Sequence, residues 1–434
     1  MKLRNVEELC ELIWLLENKY NLLDFEIDGV KAWQFRRIPL YFIFSQSTGI
    51  HEVGHPRLSI LSKAASLFLL VKNSFLNNPF LAKKSDVMIF SHERSKLVNS
   101  EYIDIYTHYM KEDLNAQKIT YTDMERPFLA KHIRKKSSNK RYLDFIILIG
   151  NILKFFIKVK TKPNEEELFI QLDQDIKDKL GIKFDSRKYL LAAVKRFKIN
   201  YYLYSVLFKI LKPKQINIVV AYAHGDIVKA AKDLNITVNE IQHGNFGKFH
   251  LGYSFPNRKK TLDYFPENLF VWNQYWKDMI ELPIKQDNIK IKPFQYLEKQ
   301  KFNYLKNIKI KNSLIILSQG AITQQLSKLI LENFNLFENM KITYKLHPGE
   351  YGIWKKNSFL VELISRDNVE IAYDVNLYEL FSFSEYQLGV FSTALYEGVE
   401  FGCKTILADL PGIEYMYRFI KDYNLSKKNG FYIS

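Results

Sequence analysis

Short apolar runs that end at polar residues or glycine alternate along the chain with stretches of helical periodicity. In the first half the runs are Val87–Phe90, Ile216–Tyr222, Val238–Gln242 and Leu269–Trp272, with a helical pattern over Asp226–Leu234. In the second half they are Leu314–Leu317, Ile342–Leu346, Val369–Ala372, Gln387–Phe391 and Thr405–Ala408. The spacers Thr323–Phe334, Trp354–Ile364, Leu377–Ser382 and Ala394–Phe401 can each hold a helix. Apolar strands alternating with helices predict α/β architecture with parallel sheets covered on both faces. A basic stretch from about Ile284 to Lys311 divides the two sets. The pattern therefore predicts two Rossmann-like domains facing a cleft, over residues 1–285 and 286–434. Residues 100–200 are mostly helical and lysine-rich, and read as a basic helical insertion in the first domain. Near the start, Leu9, Leu12, Ile13, Leu16 and Tyr20 recur at helical spacing, a face that suits packing into a core.

Composition narrows the class. The 434 residues are 47% apolar and 25% charged, which excludes disordered, collagenous and coiled-coil proteins. Two cysteines, Cys10 and Cys403, lie too far apart in sequence for a disulfide framework or a local zinc site. Lysine and arginine number 63 against 47 acidic residues, a net charge of +16 that favours an anionic partner. The lysines are spread along the chain and no nucleic-acid-binding motif occurs, so nucleic acid is not the expected partner. Glu11 and Glu17 break the first apolar stretch, which argues against a secretory leader and predicts a cytoplasmic protein. No uncharged run approaches the roughly 20 residues of a spanning helix. The apolar stretch Phe145–Phe156 has lysines within and around it. Such a segment can lie in the interface of an anionic bilayer or be buried against the fold; the first reading places the protein peripherally on the inner membrane face.

Ligands of doubly wound sheets gather outside the carboxyl ends of the strands, so the residues after each apolar run are the candidates. Gln242-His243-Gly244-Asn245 follows one run. A histidine there has a pKa near the operating pH and can accept a hydroxyl proton, or it is simply a turn histidine. Lys345-Leu346-His347-Pro348 ends another: Pro348 stops the ladder, and Lys345 and His347 share a strand face that can meet a phosphate. Ser392-Thr393 follows a third run and opens a helix, where hydroxyls and N–H groups suit an anion; Glu397, one turn on, can reach a ribose. His92 and Arg94 follow Val87–Phe90 and can line an acceptor side, and His224 borders the same edge. Asp173-Gln174-Asp175 fits a metal-binding pattern but sits in an amphipathic helical stretch, so no metal is expected. P-loop and dinucleotide fingerprints do not occur.

The order of these elements resembles the GT-B glycosyltransferases that build bacterial capsule and lipopolysaccharide. His347-Pro348 and Ser392-Thr393 are similar to the His-Pro and Ser-Ser/Thr motifs of bacterial sialyltransferases. Gln242-His243-Gly244 resembles the His-Gly motif of the CDP-glycerol glycerophosphotransferases. The acidic motif that supplies the sialyltransferase base has no clear counterpart. The resemblance implies metal-independent sugar transfer, with no cofactor beyond a nucleotide-sugar co-substrate, to a lipid-linked or polymeric cell-surface glycan. In it His243 is the general base, and Lys345, His347, Pro348, Ser392, Thr393 and Glu397 hold the donor. Gln242, Gly244, Asn245, His92, Arg94 and His224 line the acceptor side. Polyol-phosphate transfer and sugar-nucleotide epimerisation are the alternatives.

Overall fold

The computed structural model describes residues 5–51, 60–93, 95–127, 131–256, 258, 260–280, 282–320 and 322–433. Among the described residues nine strands occupy the first part: β1 (Val87–Phe90), β2 (Lys96–Val98), β3 (Glu101–Ile103), β4 (Tyr121–Glu125), β5 (Lys140–Tyr142), β6 (Gln215–Val219), β7 (Thr237–Ile241), β8 (Asn268–Val271) and β9 (Ile289–Ile291). Seven form a sheet of order β5-β4-β1-β6-β7-β8-β9, parallel throughout, and β2 and β3 make a separate hairpin. The second part contributes β10 (Ile310–Leu317), β11 (Lys341–Lys345), β12 (Val369–Ala372), β13 (Ser384–Gly389), β14 (Lys404–Ala408), β15 (Ser426–Lys428) and β16 (Phe431–Ile433). Their order is β12-β11-β10-β13-β14-β16-β15, parallel except for β16, which runs antiparallel to both of its neighbours. The protein is thus an α/β fold of two Rossmann-like lobes.

In each sheet the chain works outward from a central pair, β1 and β6 in the first and β10 and β13 in the second, until β16 returns between β14 and β15. The crossovers of each central pair leave in opposite directions, and in such sheets ligands bind outside the carboxyl ends of the strands at this reversal. Buried polar residues pin the first sheet. Asn239 donates to Asn217 Oδ1 and Asn268 donates to Asn239 Oδ1, each at 2.8 Å, in a ladder across β6, β7 and β8. A slip of one residue would leave these amides unpaired in the core, so the ladder fixes register.

The segment read as an insertion is narrower than its composition suggests. Residues 121–125 and 140–142 are strands of the first sheet, while Asp144–Leu153, Pro163–Leu180 and Ser186–Leu211 are helices. The two strands are polar in sequence because their buried charges are matched from elsewhere: Asp123 by Lys111, and Glu125 by His132, Arg134 and Lys140. Asp173 and Asp175 lie on the helix Pro163–Leu180; Asp175 is taken by Lys19 and Tyr20.

The helices Val6–Tyr20 and Ala32–Ser47 bury Leu9, Leu12, Ile13, Leu16 and Tyr41 in a core shared with the second lobe. Glu17 and Arg37 form a buried fork, Nε to Oε1 at 2.6 Å and Nη2 to Oε2 at 2.8 Å, with the Trp33 indole on the same carboxylate at 2.7 Å. Arg37 also donates to the carbonyls of Leu251 and Ser254, so the fork holds the loop that follows His243. Tyr41 and Tyr415 join hydroxyls across the lobes at 2.7 Å. Arg37→Ala would strand the Glu17 carboxylate in the core and is expected to cost about 3–5 kcal/mol. Urea unfolding measures this, and a loss below roughly 1 kcal/mol would deny the fork its structural role.

Candidate functional site at the lobe junction

The turn after β7 carries His243, and buried Gln242 shapes it. The Gln242 amide donates to the Gly244 carbonyl at 3.0 Å and accepts from the Trp272 N–H at 2.8 Å. Gly244 lets the backbone come against the second lobe, since a Cβ there would lie 3.3 Å from Thr393 Oγ1. The next N–H, of Asn245, donates to Thr393 Oγ1 at 3.1 Å. The His-Gly turn is therefore in direct contact with the start of the helix Thr393–Glu400. Asn245 Oδ1 is buried at this junction with no protein partner among the described residues.

His243 sits among rings. His92, from the loop after β1, stacks on it at 6.2 Å between centroids, and Tyr106, Tyr222 and Tyr253 surround it. Tyr253 lies 3.5 Å from His243 Nδ1 and Tyr222 lies 3.5 Å from Nε2. The Tyr253 hydroxyl also donates to Glu240 Oε1 at 2.5 Å, and the Ala221 N–H bonds the same oxygen at 2.9 Å. With Glu240 ionised, Tyr253 points its proton to the carboxylate and offers its lone pair to Nδ1–H. That order leaves Nε2 as the basic nitrogen. Burial pushes the Glu240 carboxyl up to about 7, against the pull of its Tyr253 and Ala221 hydrogen bonds. The direction of the chain therefore changes near neutrality.

His224 precedes the helix Gly225–Lys232 and its imidazole is pushed down to about 3, first by burial and then by Arg126 and Arg196, which keeps it neutral. Arg94 lies outside the described residues. His92 is fixed through its backbone, whose N–H donates to Asp104 Oδ2 at 2.9 Å.

The second lobe meets this turn with the loop after β13. Ser392 is extended and its Oγ accepts from the Ala394 N–H at 3.2 Å, capping the helix. Ser392 and Thr393 each use an oxygen lone pair for these contacts, so each hydroxyl proton can be donated to an anion. Gly398 lets the helix press on β13, because a Cβ would fall 2.0 Å from Gln387 Oε1. Gln319, after β10, holds the loop with both amide atoms: Nε2 donates to the Phe391 carbonyl at 2.5 Å and Oε1 accepts from its N–H at 3.1 Å. Gln319 spans the central strand pair, where a ligand crevice belongs.

His347 is exposed after β11; its Nδ1 accepts from the Gly349 N–H at 3.1 Å, which puts the neutral proton on Nε2. Pro348 starts the short turn that follows, anchored by Glu350 on the His347 N–H at 2.7 Å. The Lys345 ammonium donates to the Tyr373 carbonyl and lies 3.3 Å from the Tyr351 hydroxyl. Burial lowers its pKa, and Lys96 of the first lobe lowers it further. Lys96 belongs to the β2–β3 hairpin and lies over the Tyr378 ring at 5.2 Å. Glu397 is near both; burial raises its pKa while Lys96 and Tyr378 lower it. The hairpin thus crosses from the first lobe to the second beside Glu397.

Sequence reasoning missed Gln319, Glu240, Tyr222 and Tyr253. Gln319 obeys the strand-end rule that found the others, and Glu240 is an acid inside an otherwise buried strand. The two tyrosines carry no signal, because their role comes from packing around His243.

No protein-family model matches the chain, and no curated protein matches its sequence. Among solved structures it is similar to the UDP-GlcNAc 2-epimerase of Methanocaldococcus jannaschii, with 12% identity and a TM-score of 0.44 over 80% of this chain and 94% of that one. The Rickettsia bellii UDP-N-acetylglucosamine 2-epimerase gives 12% identity and 0.45 over 79% and 88%. Arabidopsis thaliana UGT89C1 gives 9% identity and 0.42 over 79% and 84%. At this distance the similarities say nothing of activity, and the two-lobed fold stands on the strand order itself.

Glu240 makes a pH-dependent prediction. Its pKa is raised from the ordinary carboxyl range, so its contribution is complete below about 4.3 and is lost as pH rises to about 7. Glu240→Gln should therefore gain stability relative to the native chain by about 3 kcal/mol across that interval. Denaturant unfolding at several pH values measures the difference, and a gap that stays constant would mean Glu240 ionises normally.

Proposed function

We propose that the chain binds a nucleotide-activated sugar across the lobe junction and transfers the sugar to an acceptor hydroxyl. The observation that supports this reading is the Asn245 N–H to Thr393 Oγ1 contact. It brings the turn that carries His243 to a capped helix N-terminus of the second lobe.

In this mechanism Ser392, Thr393 and the helix N-terminus hold the donor phosphate, with the His347 Nε2–H along the same edge and Lys345 joining them by turning its ammonium from the Tyr373 carbonyl. Their dipoles and protons stabilise the charge that grows on the leaving phosphate as the glycosidic bond breaks. Pro348 fixes the turn that aims His347, and Glu397 meets the ribose. His243 Nε2 takes the acceptor proton, with Nδ1 directed by Tyr253 and Glu240. Gln242, Gly244 and Asn245 hold the turn, and His92 and His224 border the acceptor side. The acceptor in this reading is a lipid-linked or polymeric glycan. Closure of the lobes excludes water that would hydrolyse the donor.

Epimerisation of a free nucleotide sugar is the second reading. It uses the same phosphate grip and proton acceptor, needs no acceptor alcohol, and is the activity named for the two epimerase structures above. Incubating the chain with UDP-GlcNAc and other nucleotide sugars, with and without a glycan acceptor, separates the two. Acceptor-dependent release of nucleotide supports transfer, and an epimer formed without acceptor replaces it.

Two variants test the roles. His243→Ala should lower turnover by about 100-fold or more while nucleotide affinity is kept. Ser392→Ala with Thr393→Ala should weaken nucleotide binding in calorimetry by about 10-fold or more. Unchanged turnover in the first removes His243 from the chemistry, and unchanged affinity in the second removes the phosphate site.

A further inference from the structure

The helix Ile60–Leu76 reverses the usual burial pattern. Its large side chains face out: Leu67 is 59% exposed, Phe68 66%, Phe75 68% and Leu76 58%. Ser74 is fully buried on the same helix. Phe68, Val71 and Phe75 fall at spacings of three and four, so they form one stripe, and exposed Lys72 flanks it. The helix Asp144–Leu153 packs beside it. The end of the first helix is tied to the start of the second, where the Tyr142 N–H donates to the Asn77 carbonyl at 2.8 Å and Phe80 meets Phe145 edge-on at 5.5 Å. Just past the second helix, Phe155 and Phe156 are 78% and 74% exposed. Exposed phenylalanines gathered on neighbouring elements mark a surface that something covers.

The charge around them selects the occupant. Residues 60–85 and 145–164 contain eight lysines and no aspartate or glutamate. Lys72, Lys83, Lys84, Lys154 and Lys158 are exposed. A second copy of this face would set lysine against lysine with no acid to pair them. Acyl chains accept the phenylalanines, and anionic headgroups accept the lysines around them. We infer that this face of the first lobe docks on the surface of an anionic lipid bilayer, with the helix Ile60–Leu76 lying in the interface. Of the stretch Phe145–Phe156 that the sequence marks, the structure buries Ile146 and leaves Phe155 and Phe156 to join the larger face. Among the described residues no helix is long and apolar enough to cross a membrane, and the docking is peripheral. The inference is independent of the nucleotide-sugar reading.

Flotation of the full chain with vesicles tests it. Vesicles of phosphatidylcholine mixed with phosphatidylglycerol should carry the protein up, pure phosphatidylcholine should carry about 10-fold less, and added salt should weaken binding. Phe68→Asp with Phe75→Asp, and separately Phe155→Asp with Phe156→Asp, should each cut binding about 10-fold or more. Because all four side chains are exposed, melting temperature should not change, which separates lost docking from lost folding. The proposal fails if the native chain stays unbound or if folded aspartate variants bind as it does. It fails also if sedimentation shows a dimer that these substitutions dissolve while vesicles take up nothing.

Discussion

One hydrogen bond between lobes organises the candidate site: the Asn245 N–H on Thr393 Oγ1. For it to form, a loop of the first sheet and a helix start of the second must arrive together within a fraction of an ångström. The Glu17–Arg37 fork braces the loop from behind through the Leu251 and Ser254 carbonyls, and Gln242 sets its turn. On the other side Gln319 clamps Phe391, and Gly398 seats the helix on β13. The Glu17–Arg37 fork and Gln242 are buried polar groups with their partners in place, the condition under which such groups specify one geometry.

Electrostatics then divides the labour. Burial holds the His224 imidazole neutral and leaves the Glu240 carboxyl balanced near neutrality. Glu240 reaches His243 through Tyr253, so a residue that touches no ligand can set which imidazole nitrogen is basic. At the far side of the junction the β2–β3 hairpin brings Lys96 beside Glu397 and Tyr378. A cation from the first lobe thus lies next to an acid of the second, and lobe motion would change that pairing.

Apolar strands were legible from sequence. Val87–Phe90 and Val369–Ala372 coincide with β1 and β12, and the other seven marked runs overlap strands. The strands β4 and β5 were not, because they carry Asp123, Glu125 and Lys140 into the interior. Their partners lie on other segments, and a local pattern cannot show that Lys111 answers Asp123 or that His132 sits between Glu125 and Asp144. The strand-end rule picked out the residues of the candidate site, including His243, Ser392 and Thr393. It could not show which of them touch. The contact of Asn245 with Thr393 joins residues 148 positions apart and depends on how two complete lobes pack. Lys345, by contrast, was read for its strand face, and the structure engages its ammonium with the Tyr373 carbonyl.

A crystal structure of the chain soaked with a nucleoside diphosphate tests the central claim most directly. The account predicts phosphate oxygens within hydrogen-bond distance of the Ser392 and Thr393 hydroxyls, on the side facing the His243 imidazole. A nucleotide seated elsewhere, or phosphates turned away from that helix start, would contradict it.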